Sequence, residues 1–397
     1  MKEILRNSVG RLKIAAIGEA LSMLGAPVMR SLMRNRLDHA GLILMFHHVA
    51  PRNPDRLTIN KGQEISPETL ETVLTSLKAQ GYELVSMDQV PERLARGSRS
   101  PSRFAALTFD DGGRDNLIHA APILQRHDAP FTVYVTTSFA SGLVAPWWHV
   151  IERAAMAAPC LIIETSRGPL RFDTSDHPRK IRAAEALHHI FWGTNETNRQ
   201  RYTADLASQA CIDLGSLTRE LYMDWAELSE IAKLPNCTIG AHTTTHAFLA
   251  QLDERSAMRE LVDARDIIRQ RLNVAVDHLS YPYGATGCCG TREFELARAA
   301  GYTTAVTTRR GVLEHSHMND LTSLPRAPIN GHYQQPVMID ALVSGLPLTL
   351  AAQAGALAST LKNSLRPSVE RRPLRNNDSI DEASHSAFIS RMERIKS

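Results

Sequence analysis

Three clusters of residues hold the chemistry available to this sequence. They are Thr108-Phe109-Asp110-Asp111-Gly112, His242-Thr243-Thr244-Thr245-His246 and Tyr281-Pro282-Tyr283-Gly284. Adjacent carboxylates repel, and desolvation raises the cost. A cation relieves the repulsion by taking one carboxylate as ligand and leaving the other as a base. The alternative is an N-cap pair for a helix after Arg114. Histidines four apart share one face of a helical turn, and neutral imidazoles suit Zn²⁺ and related divalent ions. The zinc-peptidase pattern puts its general base, a Glu, directly after the first His. Thr243 cannot do that work, so a hydrolase built here draws its base from another strand, with Asp110 or Asp111 the source. Two histidines and one carboxylate leave a coordination position open, the form of a catalytic zinc site. Water held there turns acidic near neutral pH and a bound carbonyl is polarised. The expected reaction is metal-assisted hydrolysis of an acyl group.

Such groups need a scaffold that brings them together. Between residues 40 and 310, short β-rich runs alternate with helical patterns, the mark of a parallel α/β fold. The runs are Leu42–Phe46, Glu83–Val85, Ala105–Phe109, Phe131–Val135, Cys237–Ala241, Leu279–Tyr281 and Thr303–Thr307. Ser66 and Pro67 open one helix and Gly81 follows its end; others are expected over Asp253–Arg271 and Thr291–Ala300. His47-His48, Asp110-Asp111, His242 and Pro282-Tyr283-Gly284 each follow a run. In a β/α barrel, the C-terminal ends of the strands converge on one face. Seven candidate strands with no eighth predict an incomplete barrel.

Residues 145–221 break the alternation and read as a helical insertion carrying Trp147-Trp148-His149. Paired tryptophans are packing anchors or a platform for a sugar ring. The domain division is then a basic N-terminal helical arm over 1–39, the barrel over 40–345, and a C-terminal helix and polar tail over 346–397, disordered at its end.

Composition narrows the class. Of 397 residues, 43% are hydrophobic and 22% charged, which excludes a disordered or collagen-like chain. A net charge of +3 gives no argument for nucleic acid, and five cysteines, with Cys288 and Cys289 adjacent, give no disulfide framework. No run reaches the ~20 apolar residues of a membrane span. Glu19 interrupts what a secretory leader would need, so the arm reads as a leading helix able to lie on a membrane surface. Cytoplasmic localisation, or peripheral placement at the inner face of a membrane, is the expectation.

Taken in order, Thr-Phe-Asp-Asp-Gly at 108–112, Thr238-Ile239-Gly240-Ala241, His-Thr-Thr-Thr-His at 242–246 and Tyr-Pro-Tyr-Gly at 281–284 resemble the polysaccharide deacetylases. These form carbohydrate esterase family four, which includes the nodulation-type chitooligosaccharide deacetylases. The resemblance covers residues 40–335. It implies a distorted seven-stranded β/α barrel that removes acetyl groups from a glycan, most simply one containing N-acetylglucosamine. By position it implies Asp110 as general base, Asp111, His242 and His246 as ligands of a divalent metal (Zn²⁺ first), and Pro282, Tyr283 and Gly284 at the substrate. Trp147 and Trp148 join the expected substrate contacts.

Two departures stand out. Members often pair the catalytic Asp with an Arg just before Pro-Tyr, where this chain has Leu279, Ser280 and Tyr281; Arg326 is the substitute, expected at the substrate site. The usual downstream Leu-x-His acid has no match, whereas Phe46-His47-His48-Val49 resembles the Tyr-His-x-Val of members whose acid comes from the first strand. His47 is therefore the expected general acid and His48 its alternative. A glycan-binding relic without activity, or a metallohydrolase acting on a non-sugar amide, are the competing classes.

Overall fold

The computed structural model describes residues 2–27, 29, 39–54, 56–96 and 103–354. Parallel strands buried on both faces read as nearly continuous apolar runs, and Gly41–Phe46 and Phe104–Phe109 are of this kind. Seven parallel strands form a ring: β1 (Gly41–Phe46), β2 (Phe104–Phe109), β3 (Phe131–Val135), β4 (Cys237–Ala241), β5 (His278–Ser280), β6 (Thr304–Arg310) and β7 (Leu324–Pro328). Each pairs in parallel with the next, and β7 pairs with β1 through Leu44↔Ala327, which closes the barrel. The seven-stranded β/α barrel expected from the sequence is therefore present.

Its membership differs in one strand. Glu83–Val85 pairs only with the first half of β2, upstream of Leu107, where β3 takes over that edge. The place in the ring belongs to Leu324–Pro328, which the sequence reading put after the last strand. Pro325 and Pro328 hide it, since Pro donates no ladder hydrogen bond. Pro325 is a register partner of neither neighbour; it sits where the β6–β7 register shifts between Val306↔Leu324 and Arg310↔Arg326.

Side chains alternate across each strand, so the barrel has two apolar layers. Ile43, Phe104, Ala106, Tyr134, Val306 and Leu324 belong to one cluster, whereas Leu42, Leu44, Leu107, Phe109, Val133 and Leu279 join the larger cluster shared with the helices. Gly240 makes room inside: an added Cβ would stand 2.5 Å from the Tyr134 ring. Helices start as their caps dictate. Ser66 Oγ accepts the Thr69 N–H at 3.2 Å ahead of Pro67–Ala79, and Asp253 accepts that of Ser256 ahead of Glu254–Leu272; each cap is worth about 1 kcal/mol.

The excursion between β3 and β4 contains helices Trp147–Ala157, His177–Trp192, Glu196–Gln209 and Leu214–Leu221. Beside these helices, which fit the expected helical insertion, it contains an antiparallel hairpin, Cys160–Thr165 with Gly168–Asp173, that the sequence pattern did not single out. The excursion has its own core, including Val150, Ile151, Leu161, Phe191 and Leu206. At the N-terminus, helix Lys2–Gly25 packs Leu21 against Tyr333 and Ala341. Arg30, Arg34, Arg36 and residues 355–397, including the expected polar tail, lie outside the described residues. Among the described residues no single helix is long and apolar enough to cross a membrane.

Candidate active site

Strand parity decides which polar residues reach the barrel mouth. Continuing the inward rows past the strand ends gives His47 from Ile43, Asp110 from Phe104 and Ala106, His242 from Gly240, and Arg326 from Leu324. Asp111 has the wrong parity. It turns back over the mouth because its φ is +73° and that of Gly112 is +76°, a left-handed bend that Asp and Gly tolerate best.

The histidine pair is not on a helix, contrary to the spacing argument. Residues 242–248 form an irregular loop in which Thr243 and His246 have φ of +62° and +60°. Glu260, from helix Glu254–Leu272, holds this loop by accepting the N–H groups of Thr244 (2.9 Å) and Thr245 (2.8 Å) and the Thr245 hydroxyl (2.8 Å).

The result is a buried cluster. His242 Nε2 and His246 Nε2 lie 3.2 and 3.3 Å from Asp111 Oδ1, and a ligand atom from each of these three residues falls within 4.8 Å of the others. Ligand atoms arranged tetrahedrally about 2.0–2.1 Å from a common zinc stand about 3.3 Å apart, so the spacing fits a divalent ion. Asp111 Oδ1 is buried and has no hydrogen-bond partner among the described residues. His242 Nδ1–H donates to the Ser280 carbonyl at 2.7 Å, which leaves Nε2 with its lone pair toward the site. His246 is held by rings instead: Phe139, Trp148 and Tyr283 surround it with centroids 5.7, 5.1 and 4.7 Å away.

Asp110 stands apart from that cluster and is clamped from behind. Arg326 Nη1 donates to Oδ1 at 2.8 Å and Nη2 to Oδ2 at 2.6 Å. The remaining donors go to the Thr307 carbonyl, Thr108 Oγ1 and Ser280 Oγ. Burial disfavours the Asp110 carboxylate, but the Arg326 guanidinium outweighs it and holds the group below the usual range. Arg326 is fully buried with every donor engaged and does not line the cavity, so it is the substitute cation the sequence suggested for the carboxylate but not the substrate contact it was also expected to be. It is the partner of the carboxylate and comes from a different strand than the family pattern uses.

His47 Nε2 lies 4.0 Å from Asp110 Oδ2, and both residues line a cavity of about 180 Å³ with Asp111, His242 and His246. Burial lowers the His47 imidazole against the pull of the two carboxylates. His48 faces elsewhere: its Nδ1 meets Asp115 at 2.8 Å and its Nε2 meets His149 Nε2 at 3.4 Å.

Trp147, Trp148 and Tyr283 also line the cavity. The tryptophans are only 5% and 4% exposed, so they are packing residues with one edge at the cavity. Trp147 Nε1–H donates to the Tyr283 hydroxyl at 2.8 Å, tying the excursion to the barrel. Pro282 and Gly284 do not line the cavity; they shape the turn that presents Tyr283. Gly284 has φ of +54°, and a Cβ there would stand 2.5 Å from the Thr308 nitrogen. Gln63, His188, Trp192 and Thr308 complete the wall and were not anticipated. Thr308 was legible, two positions beyond inward Val306; the others come from distant segments with no local signal.

Three metal-type ligands, a clamped carboxylate and an imidazole around one cavity at a barrel mouth define a hydrolase-type site. A sequence profile described as polysaccharide deacetylase matches residues 97–162 and 185–305, and the chain belongs to this family, that is, to the glycan deacetylases. A search of curated proteins returns no significant match. Among solved structures, the chain is similar to the Streptococcus pyogenes deacetylase PplD in complex with acetate (20% identity, 73% of this chain and 92% of that one, TM-score 0.46). It is similar also to IcaB from Ammonifex degensii (17%, 77% and 97%, 0.47) and to the BpsB deacetylase domain from Bordetella bronchiseptica (17%, 73% and 95%, 0.44). The family assignment rests on the sequence match.

Proposed function

We propose that the protein is a zinc-dependent hydrolase that removes acetyl groups from an N-acetylglucosamine-containing oligo- or polysaccharide. The observation that carries the reading is the buried Asp111–His242–His246 cluster beside Asp110 and His47 in one cavity. A divalent ion held by those three residues supplies an acidified water and a polarised acyl carbonyl.

The residues of the chain do the rest. Asp110, oriented by Arg326, accepts the proton of the attacking water. His47, whose Nε2 lies 4.0 Å from Asp110 Oδ2, takes up the proton that Asp110 removes from the water and delivers it to the departing amine. Tyr283 and the edges of Trp147 and Trp148 orient the sugar. Acetate release from chitooligosaccharides, acetylated xylan and acetylated peptides, each with and without chelator, tests the reading. Chelator-sensitive release from chitooligosaccharides is expected. Release from peptides alone points to a non-sugar amide, and none from any substrate to a binding relic.

A further inference from the structure

Tyr283 brings a ring from the barrel to the cavity wall, and its backbone does not favour the conformation it holds. Its φ is +62°, which bulky side chains seldom adopt. Rings hold it in place. Phe248, two residues past His246, stacks on it with centroids 3.6 Å apart and planes 17° from parallel. The edge of Trp192 meets both rings, with centroids 5.2 Å from Tyr283 and 5.3 Å from Phe248. Two rings this close lie nearly face over face, the arrangement in which their negative π-faces repel. Something must offset that repulsion.

Arg199 of the excursion does so. Its guanidinium carbon lies over the Phe248 ring, 4.3 Å from the centroid, where a cation draws on the negative face. Arg199 is only 2% exposed, and a charge at that depth is costly unless paired. All three of its nitrogens are engaged: Nε with the Phe191 carbonyl at 3.0 Å, Nη2 with the Thr194 carbonyl at 2.6 Å, and Nη1 with Glu196. These carbonyls lie at and just past the end of helix His177–Trp192, where the last turn lacks helical partners. The same guanidinium therefore fixes the helix end that carries Trp192. Neither Arg199 nor Phe248 lines the cavity over the metal-type cluster. Arg199 lines an adjoining cavity of about 210 Å³ that shares Trp147, Trp148, His246 and Tyr283 with the first.

We propose that Arg199 is a positioning residue: acting through Phe248, and through the helix end that carries Trp192, it fixes the Tyr283 ring beside the metal-type cluster. The excursion is then a brace that sets one wall of the barrel mouth. Only the kinetic part of the test rests on the deacetylase reading above.

The first measurement needs no substrate. In the metal-free full chain with isotope-labelled tryptophan, the indole N–H resonance of Trp147, identified through Trp147→Phe, reports its bond to the Tyr283 hydroxyl. Arg199→Met should move that signal toward its position in Tyr283→Phe. Ile163→Val, a core change in the excursion hairpin, should leave it in place. A signal that Arg199→Met does not move, or that both changes move equally, overturns the proposal. The second measurement is kcat/KM of the zinc-loaded chain on a chitooligosaccharide. Arg199→Met and Phe248→Leu should each lose about tenfold, within the ~10²-fold that a misplacement of about 1 Å can cost. The double variant should lose no more than either alone, because both act on one ring. Losses that multiply overturn the route through Phe248. Arg199→Lys keeps a cation without the planar fork and should change both readings less; it stands in if Arg199→Met loses its native melting profile. A change as large with Lys as with Met overturns the part assigned to the charge. If the unaltered protein releases no acetate from any glycan, the deacetylase reading falls while the indole measurement still decides the role of Arg199.

Discussion

Asp110 and Asp111 are neighbours in the chain with different partners, a guanidinium for one and two imidazoles for the other. Asp110→Asn should therefore keep the metal and lose about 10²–10⁴-fold in rate, whereas Asp111→Asn should lose metal affinity itself. Metal content by mass spectrometry beside acetate release decides it, and equal metal loss in both would contradict the division. Arg326→Met strands the Asp110 charge in the interior, which typically costs about 3–5 kcal/mol. Its melting temperature should fall well below that of the Arg326→Met/Asp110→Leu double variant, in which the charge is gone as well. At this scale the sequence singled out by type and order the two carboxylates and two histidines that one cavity brings together. The partnership of Arg326 was legible only by elimination, from the missing cation before Pro-Tyr, because its geometry depends on β7 lying beside β1 in the closed ring.

The loop that carries His242 and His246 shows what an element contributes. No regular element holds this loop; the Glu260 carboxylate holds Thr244 and Thr245 across two backbone donors and a hydroxyl, while the N–H groups of Thr137 and Ser138 donate to the carbonyls of Thr243 and Thr244. Glu260→Ala should weaken metal binding by about 10–100-fold, as loss of outer support for ligands does. Glu260→Gln should recover part of it, measured by competition with a chromophoric chelator. Helical spacing suggested another geometry for this loop, and the positive φ angles explain the miss: four-residue spacing on a turn with left-handed residues also brings two rings together.

The contact between excursion and barrel has its own pH dependence. Burial, then the charges of His48 and Arg56, hold His149 well below the usual imidazole value. Burial also opposes protonation of His48, but Asp115 outweighs it and raises that group. Between the folded value of His149 and ~6.5, the unfolded chain binds a proton that the folded chain does not, so this group costs stability as pH falls. His48 acts in the opposite direction: its contribution is complete below ~6.5 and is lost as pH rises through its folded value. His149→Gln should shrink the fall in melting temperature between about pH 8 and pH 5; an undiminished fall would contradict the assignment.

For the whole molecule, the barrel was legible because β/α alternation and polar residues at strand ends recur over residues 40–310. The identity of the closing strand was hidden by its prolines, and the makeup of the cavity wall by distance along the chain, since Gln63, Thr308 and the pair His188 and Trp192, one turn apart on one helix, come from three separate segments. The central claim is that this barrel mouth holds one divalent ion on which acetyl hydrolysis depends. The most direct measurement titrates Zn²⁺ into metal-stripped protein while ion content and acetate release from chitooligosaccharides are followed in the same sample. The account predicts one ion per chain, with activity rising in proportion and reaching its plateau at that stoichiometry. Full acetate release by the stripped protein, or no bound ion at saturating Zn²⁺, would contradict it.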